Sequence, residues 1–299
     1  MKNLKPIFVF VLILGLSSCS DFDFIKPIDN RPSLADKLLA KSTLSYELKA
    51  NQTYGNKQFQ NYDLYIPNHD IEDIKSVTLV LVHGGGWSIL DKSFLNIVVE
   101  DFKRRNLNLT IFNINHRLAG LDNVRFEDIM NDFNLFFQHY ESLKSNLNLS
   151  DDLMLWGYSS GGHLALSYAY KYGHMDIKLV TAVSSPTDLT VASIYKGIID
   201  PKFGNMTERL IGHSFEEDPG AYKSASPYYM AGKGSPNTLL FYGGQDEIIN
   251  KSQGEKLTIN LRKKKVACEF NLMPQATHDI GAEIVNINDN LMKYINNVK

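Results

Sequence analysis

Cysteine is nearly absent: the 299 residues hold two, Cys19 and Cys268, so no disulfide framework organises this chain. A dominant charge sign is missing as well. Thirty-one Lys and Arg stand against 33 Asp and Glu, a formal net charge of −2. That excludes the basic face a nucleic-acid binder presents, and no nucleic-acid partner is expected. No apolar run approaches the roughly 18 residues a membrane-spanning helix needs; the run Ile7 to Leu16 has ten. Internal repeats, heptads and metal-ligand spacings of His, Cys and carboxylate are also lacking, so no solenoid, coiled coil or metal centre is expected. What is present is core material: 43% hydrophobic residues against 21% charged, enough for one large packed domain.

Lys2 and Lys5 lead into the apolar run, and Ser17 and Ser18 follow it. A helix of that length rises about 15 Å, half of a hydrocarbon core of about 30 Å. A charged start, a short apolar stretch and small residues read as a secretory signal peptide over residues 1–18. The other reading, an N-terminal core helix, would want a polar face, and Phe8 to Leu16 has none. Leu16-Ser17-Ser18-Cys19 resembles the lipobox of bacterial lipoproteins. The resemblance implies cleavage before Cys19, acylation of that cysteine, and anchoring on the periplasmic or cell-surface side of a bacterial membrane. The mature chain would keep 281 residues with a formal charge of −4. Acyl chains, at about 0.8 kcal/mol per buried methylene, would hold it on a membrane without spanning it. Residues 19–40, with Pro27, Asn30 and Pro32 and no sustained period, read as a tether, and residues 41–299 as the main folded domain. Cys268 is then left alone, as a small buried residue of a strand.

From about residue 58 short apolar or β-branched runs alternate with helical stretches. Strands are expected at Tyr62 to Ile66, Val77 to Val82, Leu109 to Ile114, Leu153 to Trp156, Leu179 to Val183, Thr238 to Tyr242 and Val266 to Leu272. Helices are expected near Phe94 to Arg105, Phe126 to Leu143, Gly161 to Tyr170, Lys251 to Lys263 and Asp279 to Asn296. Unbroken apolar runs such as Val77-Thr78-Leu79-Val80-Leu81-Val82 suit strands covered on both faces, so the fold class is α/β with a mostly parallel sheet flanked by helices. Ser184 to Pro236 breaks the rhythm with closely spaced Gly, Pro, Asp and Asn. It is too long for a bare loop and reads either as an insertion of short helices over a site or as a surface excursion.

Two motifs carry chemistry. Gly157-Tyr158-Ser159-Ser160-Gly161 fits G-x-S-x-G between an expected strand and an expected helix. There the serine sits on a strained strand-to-helix turn, its oxygen projects from the sheet edge, and the helix N-terminus faces developing negative charge. The register selects Ser159 as nucleophile. Upstream, Val80-Leu81-Val82 runs into His83-Gly84-Gly85-Gly86-Trp87, an HGGG-type turn of the kind that supplies oxyanion-hole amides. A phosphate cradle is disfavoured, because neither G-K-[ST] nor G-x-G-x-x-G is present.

With these motifs the chain resembles α/β-hydrolase esterases of the HGGG type, the hormone-sensitive-lipase-like and bacterial feruloyl/acetyl-esterase-like groups, from about Asn61 onward. Asn115-His116-Arg117-Leu118-Ala119 resembles the family's Y-R-L-A segment with His116 in place of tyrosine, and Ala225-Ser226-Pro227 also fits. The resemblance implies an α/β-hydrolase fold and the order serine, acid, histidine. It assigns the acid to Asp246, 87 residues after Ser159, with Glu247 as the lesser choice, and the base to His278, 32 residues further on. It assigns the oxyanion hole to the amides of Gly85, Gly86 and Ser160. All three triad members would lie just past strands, at the sheet edge where open α/β sheets bind ligands.

Of the other seven histidines, His163 is expected to be packed and His83 to hold the glycine turn; none has a paired nucleophile. Trp87 and Tyr158 adjoin the motifs and stand as pocket walls or as core. Arg117 is expected to pair with Asp128 or Asp132. The implied activity is a Ser-His-Asp carboxylesterase removing short acyl or acetyl groups from carbohydrate or small-molecule esters, without a cofactor. Amide or peptide hydrolysis by the same groups is the second enzyme reading, and a catalytically silent, hydrolase-like binding lipoprotein is the non-enzymatic one.

Overall fold

The computed structural model describes residues 33–39, 44–68, 75–173 and 176–297. The expected signal peptide, Cys19 and most of the expected tether lie outside these residues. In chain order the elements are α1 (Leu34–Leu38), β1 (Ser45–Thr53), β2 (Asn61–Asn68), β3 (Ser76–Val82), α2 (Asn96–Arg104), β4 (Leu109–Ile114), α3 (Phe126–Lys144), β5 (Leu149–Tyr158), α4 (Ser160–Ser167) and β6 (Ile177–Val183). Then follow α5 (Ala192–Tyr195), β7 (Ile199–Asp200), β8 (Gly204–Asn205), α6 (Met206–Ile211), α7 (Pro219–Ser224), α8 (Pro227–Met230), β9 (Asn237–Gly243), α9 (Ser252–Lys263), β10 (Cys268–Met273) and α10 (Ile284–Asn297).

Eight strands form one sheet in the order β1-β2-β4-β3-β5-β6-β9-β10. The β1/β2 and β2/β4 pairs are antiparallel, and every pair from β4 to β10 is parallel. Every residue of β3 is buried. Its side chains alternate between two cores: Val77, Leu79 and Leu81 belong to the one that includes residues of α1, α2 and α10, while Val80 and Val82 belong to the one that includes residues of α3, α4 and α9. That double coverage is why the strand reads as an unbroken apolar run.

Helix α3 shows how the layers lock. Phe126, Ile129, Met130, Phe133, Phe136, Phe137 and Tyr140 recur at helical spacing and are all buried. Asp128 closes the N-terminus by accepting the Arg125 N–H at 2.9 Å, where a carboxylate also complements the helix dipole. Arg117, on the loop after β4, ties to this helix. Of the two carboxylates left open by the sequence, Asp132 takes its Nε at 2.9 Å and its Nη2 at 2.8 Å, whereas the Asp128 carboxylate stands 3.8 Å away. Gln60 adds a bond to Asp132 at 2.8 Å and so fastens the β1–β2 turn. The Asp132 side chain is 0% exposed, so Arg117→Ala would leave a buried carboxylate without its charge partner, held only by Gln60 and the backbone N–H of residue 117. We expect roughly 3 kcal/mol of lost stability and a melting temperature lower by several degrees; an unchanged calorimetric melt would contradict this.

The structure adds to the sequence reading at three places. Within the span read as a tether, α1 packs on the body: Leu38 is buried, its carbonyl accepts from Asn108 N at 2.8 Å, and Lys37 pairs with Asp152. The sheet also has an eighth strand, β1, whose residues face solvent almost throughout. With no buried face it has no apolar alternation to betray it. Helix α10 begins at Ile284, preceded by a short 3-10 turn at Gly281–Glu283 rather than running from Asp279.

Candidate active site

The loops that leave the carboxyl ends of β3, β5, β9 and β10 converge on one edge of the sheet. After β5 the chain turns at Ser159 with φ 52° and ψ −123°, a sparsely populated backbone region that costs about 1–3 kcal/mol and persists only where the surroundings impose it. Here the surroundings are glycine. A Cβ on Gly157 would lie 2.5 Å from the Gly161 carbonyl oxygen, and one on Gly161 would lie 2.2 Å from that of Val82. Helix α4 can therefore start hard against β3 and β5. The turn is fixed by Ser159 N–H donating to Val183 O at 2.7 Å.

His278 Nε2 lies 3.0 Å from Ser159 Oγ, and its Nδ1 lies 2.8 Å from Asp246 Oδ2. A carboxylate oxygen can only accept, so Nδ1 carries the proton and Nε2 presents its lone pair to the serine hydroxyl. The other carboxylate oxygen, Oδ1, accepts from Ile248 N at 2.9 Å and Ile249 N at 2.8 Å. The Asp246 side chain is 0% exposed, and its lone pairs are held from both sides. The two loops are laced together by Gly244 N to Met273 O at 2.8 Å and Gln245 N to Ala276 O at 3.0 Å. Tyr158 braces His278: its hydroxyl donates to His278 O at 2.6 Å, and its ring lies 5.3 Å from the imidazole.

The glycine turn completes the site. Gly85 has φ 106°, and a Cβ there would meet the Ile89 carbonyl oxygen at 2.1 Å, so only glycine fits. Among the described residues no acceptor takes the N–H of Gly85, Gly86 or Ser160, and all three residues line the same cavity of about 270 Å³ as Ser159 and His278. His83 Nδ1 donates to Gly84 O at 2.7 Å, which turns that peptide's carbonyl toward the core and leaves the Gly85 N–H on the opposite side. His116, standing where the resembled family has tyrosine, stacks on His83 with ring centres 4.6 Å apart and 6° between planes. Both imidazoles are wholly buried. Burial, together with the neighbouring His116, lowers the His83 pKa to about 3, and burial lowers that of His116 as well.

Trp87 lines the cavity but is fully buried. Its indole N–H donates to His163 Nδ1 at 3.0 Å, while His163 Nε2 donates to Ala225 O at 2.7 Å. His163 is thus a packed, neutral histidine, its pKa lowered to about 4 by burial. Tyr158 is both wall and brace. The insertion between β6 and β9 supplies Ile198, Ile199, Asp200 and Met206 to the wall; the sequence offered the insertion as a cover but singled out none of these four, because they reach the site only through tertiary packing. Among the described residues no group of three or more His, Cys, Asp and Glu could hold a metal, and no helix is long and apolar enough to cross a membrane.

Comparison with known structures agrees with this architecture. A truncated carbohydrate esterase from gut microbiota superposes with a TM-score of 0.71 at 17% identity, over 87% of this chain and 98% of that one. Esterase B from Lactobacillus rhamnosis gives 0.67 at 15% identity, over 87% and 88%. A bacterial heroin esterase gives 0.64 at 19% identity, over 86% and 84%. At such identities the likeness shows the fold. No curated protein sequence matches. The family model BD-FAE matches residues 62–261, a span holding the glycine turn, Ser159, Asp246 and the insertion. With that match over more than half its length, the chain belongs to the BD-FAE family and is a carboxylesterase-type hydrolase of the α/β-hydrolase fold.

Proposed function

We propose that the protein hydrolyses carboxylic esters bearing short acyl groups, acetyl above all, on carbohydrate or small-molecule alcohols, through an acyl-enzyme on Ser159. The observation that carries this is the continuous chain of hydrogen bonds from Ser159 Oγ through His278 to Asp246. Ser159 Oγ attacks the ester carbon as its proton passes to His278 Nε2; Asp246 stabilises the imidazolium and keeps the Nδ1–H tautomer. The carbonyl oxygen, now anionic, receives the N–H groups of Gly85, Gly86 and Ser160 at the N-terminus of α4. The tetrahedral species collapses, and Nε2–H gives its proton to the departing alkoxide. Water then gives a proton to Nε2 and attacks the acyl-serine. The second collapse releases the carboxylic acid and returns the proton to Ser159. The carbohydrate esterase and the esterase among the similar structures support the substrate class. The test is labelling with a fluorophosphonate: stoichiometric modification mapped to Ser159 is expected, and folded protein that remains unlabelled would overturn the proposal in favour of a silent binding protein.

A further inference from the structure

We infer that Arg209 is a positioning residue of the oxyanion turn. From the insertion it clasps the loops that follow β3 and β4, and so holds the Gly85 and Gly86 N–H groups where the anionic oxygen forms. This rests on the roles proposed above for Ser159 and the glycine amides.

The turn needs such a clasp. Gly85, Gly86 and Trp87 stand at φ 106°, 53° and 63°, three consecutive left-handed residues of which two have no side chain to restrain them. Among the described residues nothing accepts from the amides of Gly85 and Gly86, so no bond of their own fixes where they point. Donors to a developing oxyanion act only when held within about 0.5 Å of the productive geometry. Inside the turn, Ser88 N and Ile89 N both donate to Gly85 O, at 3.1 and 3.0 Å. From outside, Ala119 N donates to Trp87 O at 2.8 Å, which makes the loop after β4 the backing of the turn.

Arg209 joins both loops to the insertion. Its Nη2 donates to Ala119 O at 3.2 Å and its Nε to Ser88 Oγ at 3.4 Å. Ala119 thus takes the guanidinium on its carbonyl while its N–H holds Trp87. The guanidinium lies against Gly120, where a Cβ would meet its Cζ at 2.6 Å, and the Phe203 ring centre is 5.1 Å from Cζ, within cation–π range. Among the described residues no carboxylate pairs with Arg209, so the charge-assisted bonds it makes go to the two loops. Helix α6 is itself fixed: Asn205 Oδ1 accepts from Thr207 N at 3.0 Å and Glu208 N at 3.2 Å, and Arg125 Nη1 donates to Arg209 O at 3.0 Å. Met206 lies three residues before Arg209 on the same helix face, and a Cβ on Gly86 would meet its Cε at 2.9 Å. One helix therefore presses on the turn at Gly86 and clasps it at Ser88 and Ala119.

The experiment compares the parent with Arg209→Met and Arg209→Lys in hydrolysis of p-nitrophenyl acetate and in inhibition by a short alkyl trifluoromethyl ketone. The ketone adds Ser159 Oγ to its carbonyl carbon and so places an oxyanion among the same amides. Enzyme concentration is set by fluorophosphonate titration, and folding is checked by a thermal melt. Arg209→Met is expected to lower kcat about 10- to 100-fold at a KM within about threefold of the parent. The Ki of the ketone should rise by the same factor, because it reads stabilisation of the tetrahedral species. Arg209→Lys keeps the charge but loses the planar fork, and about a three- to tenfold loss is expected. His278 and Asp246 hang from other strands, so the pH dependence of kcat/KM should keep its shape, which separates a displaced oxyanion turn from a damaged base. If the methionine variant does not fold, the lysine variant carries the test. A folded, fully titrating variant with kcat within about twofold of the parent, or one whose kcat falls while the ketone binds as before, overturns this inference and leaves the proposed function standing. Folded parent protein that neither titrates nor hydrolyses the ester overturns both.

Discussion

Ser159→Ala is expected to lower kcat for p-nitrophenyl acetate by about 10⁴–10⁶-fold, as loss of a triad nucleophile does when the remaining groups act as a unit with it. Alanine cannot form the acyl-enzyme. What survives is the donor array of the glycine turn and α4, which still polarises a bound ester toward water. The fold should be untouched. Ser159 Oγ has His278 as its hydrogen-bond partner, and the strained φ of 52° is imposed by the close passage of Gly157 and Gly161 rather than by the side chain. A melting temperature within a few degrees of the parent, with labelling abolished, is therefore part of the expected result. A folded variant retaining more than about a tenth of the activity would remove Ser159 from the chemistry.

Asp246→Asn is expected to cost about 10⁴-fold in kcat, although it changes one atom. The reason lies in the two backbone donors. Ile248 N–H and Ile249 N–H both point at Oδ1, so an asparagine must place its carbonyl oxygen there and turn its NH₂ toward His278. Facing a donor, Nδ1 can no longer carry the proton; the imidazole adopts the other tautomer, with hydrogen on Nε2, and cannot take one from Ser159. The side chain remains buried and hydrogen-bonded, so the loss should fall on kcat at nearly constant KM and stability. Steady-state kinetics with a thermal melt decide the matter. A fall of only severalfold would mean that His278 does not depend on this carboxylate for its orientation.

How much of this was legible in the sequence depended on whether each feature was local. β3 could be read because all its neighbours bury it, and α3 because its aromatic stripe keeps helical spacing. The Ser159 turn and the glycine turn were readable because their constraint is short-range: glycines within a few residues permit the close approaches. β1, exposed along nearly its whole length, left no pattern, and neither did α1, a five-residue helix whose docking depends on Asn108 and Asp152 far along the chain. Tyr158 illustrates the limit within the site: its adjacency to Ser159 suggested a wall, but its bond to the His278 carbonyl joins residues 120 apart. Residues 83 and 116 each stood out singly, whereas their stacking is a product of β3 lying beside β4.

Ser159, Asp246 and His278 hang from strand ends, while part of the wall beside them, Ile198 to Asp200 and Met206, is lent by a separate excursion of the chain between β6 and β9. Such a division of labour makes the protein modular. Provided Arg209 is kept, drift within that excursion can retune selectivity while the turnover machinery keeps its coordinates, and a mutagenesis library confined to it would explore new diets at little risk to the engine.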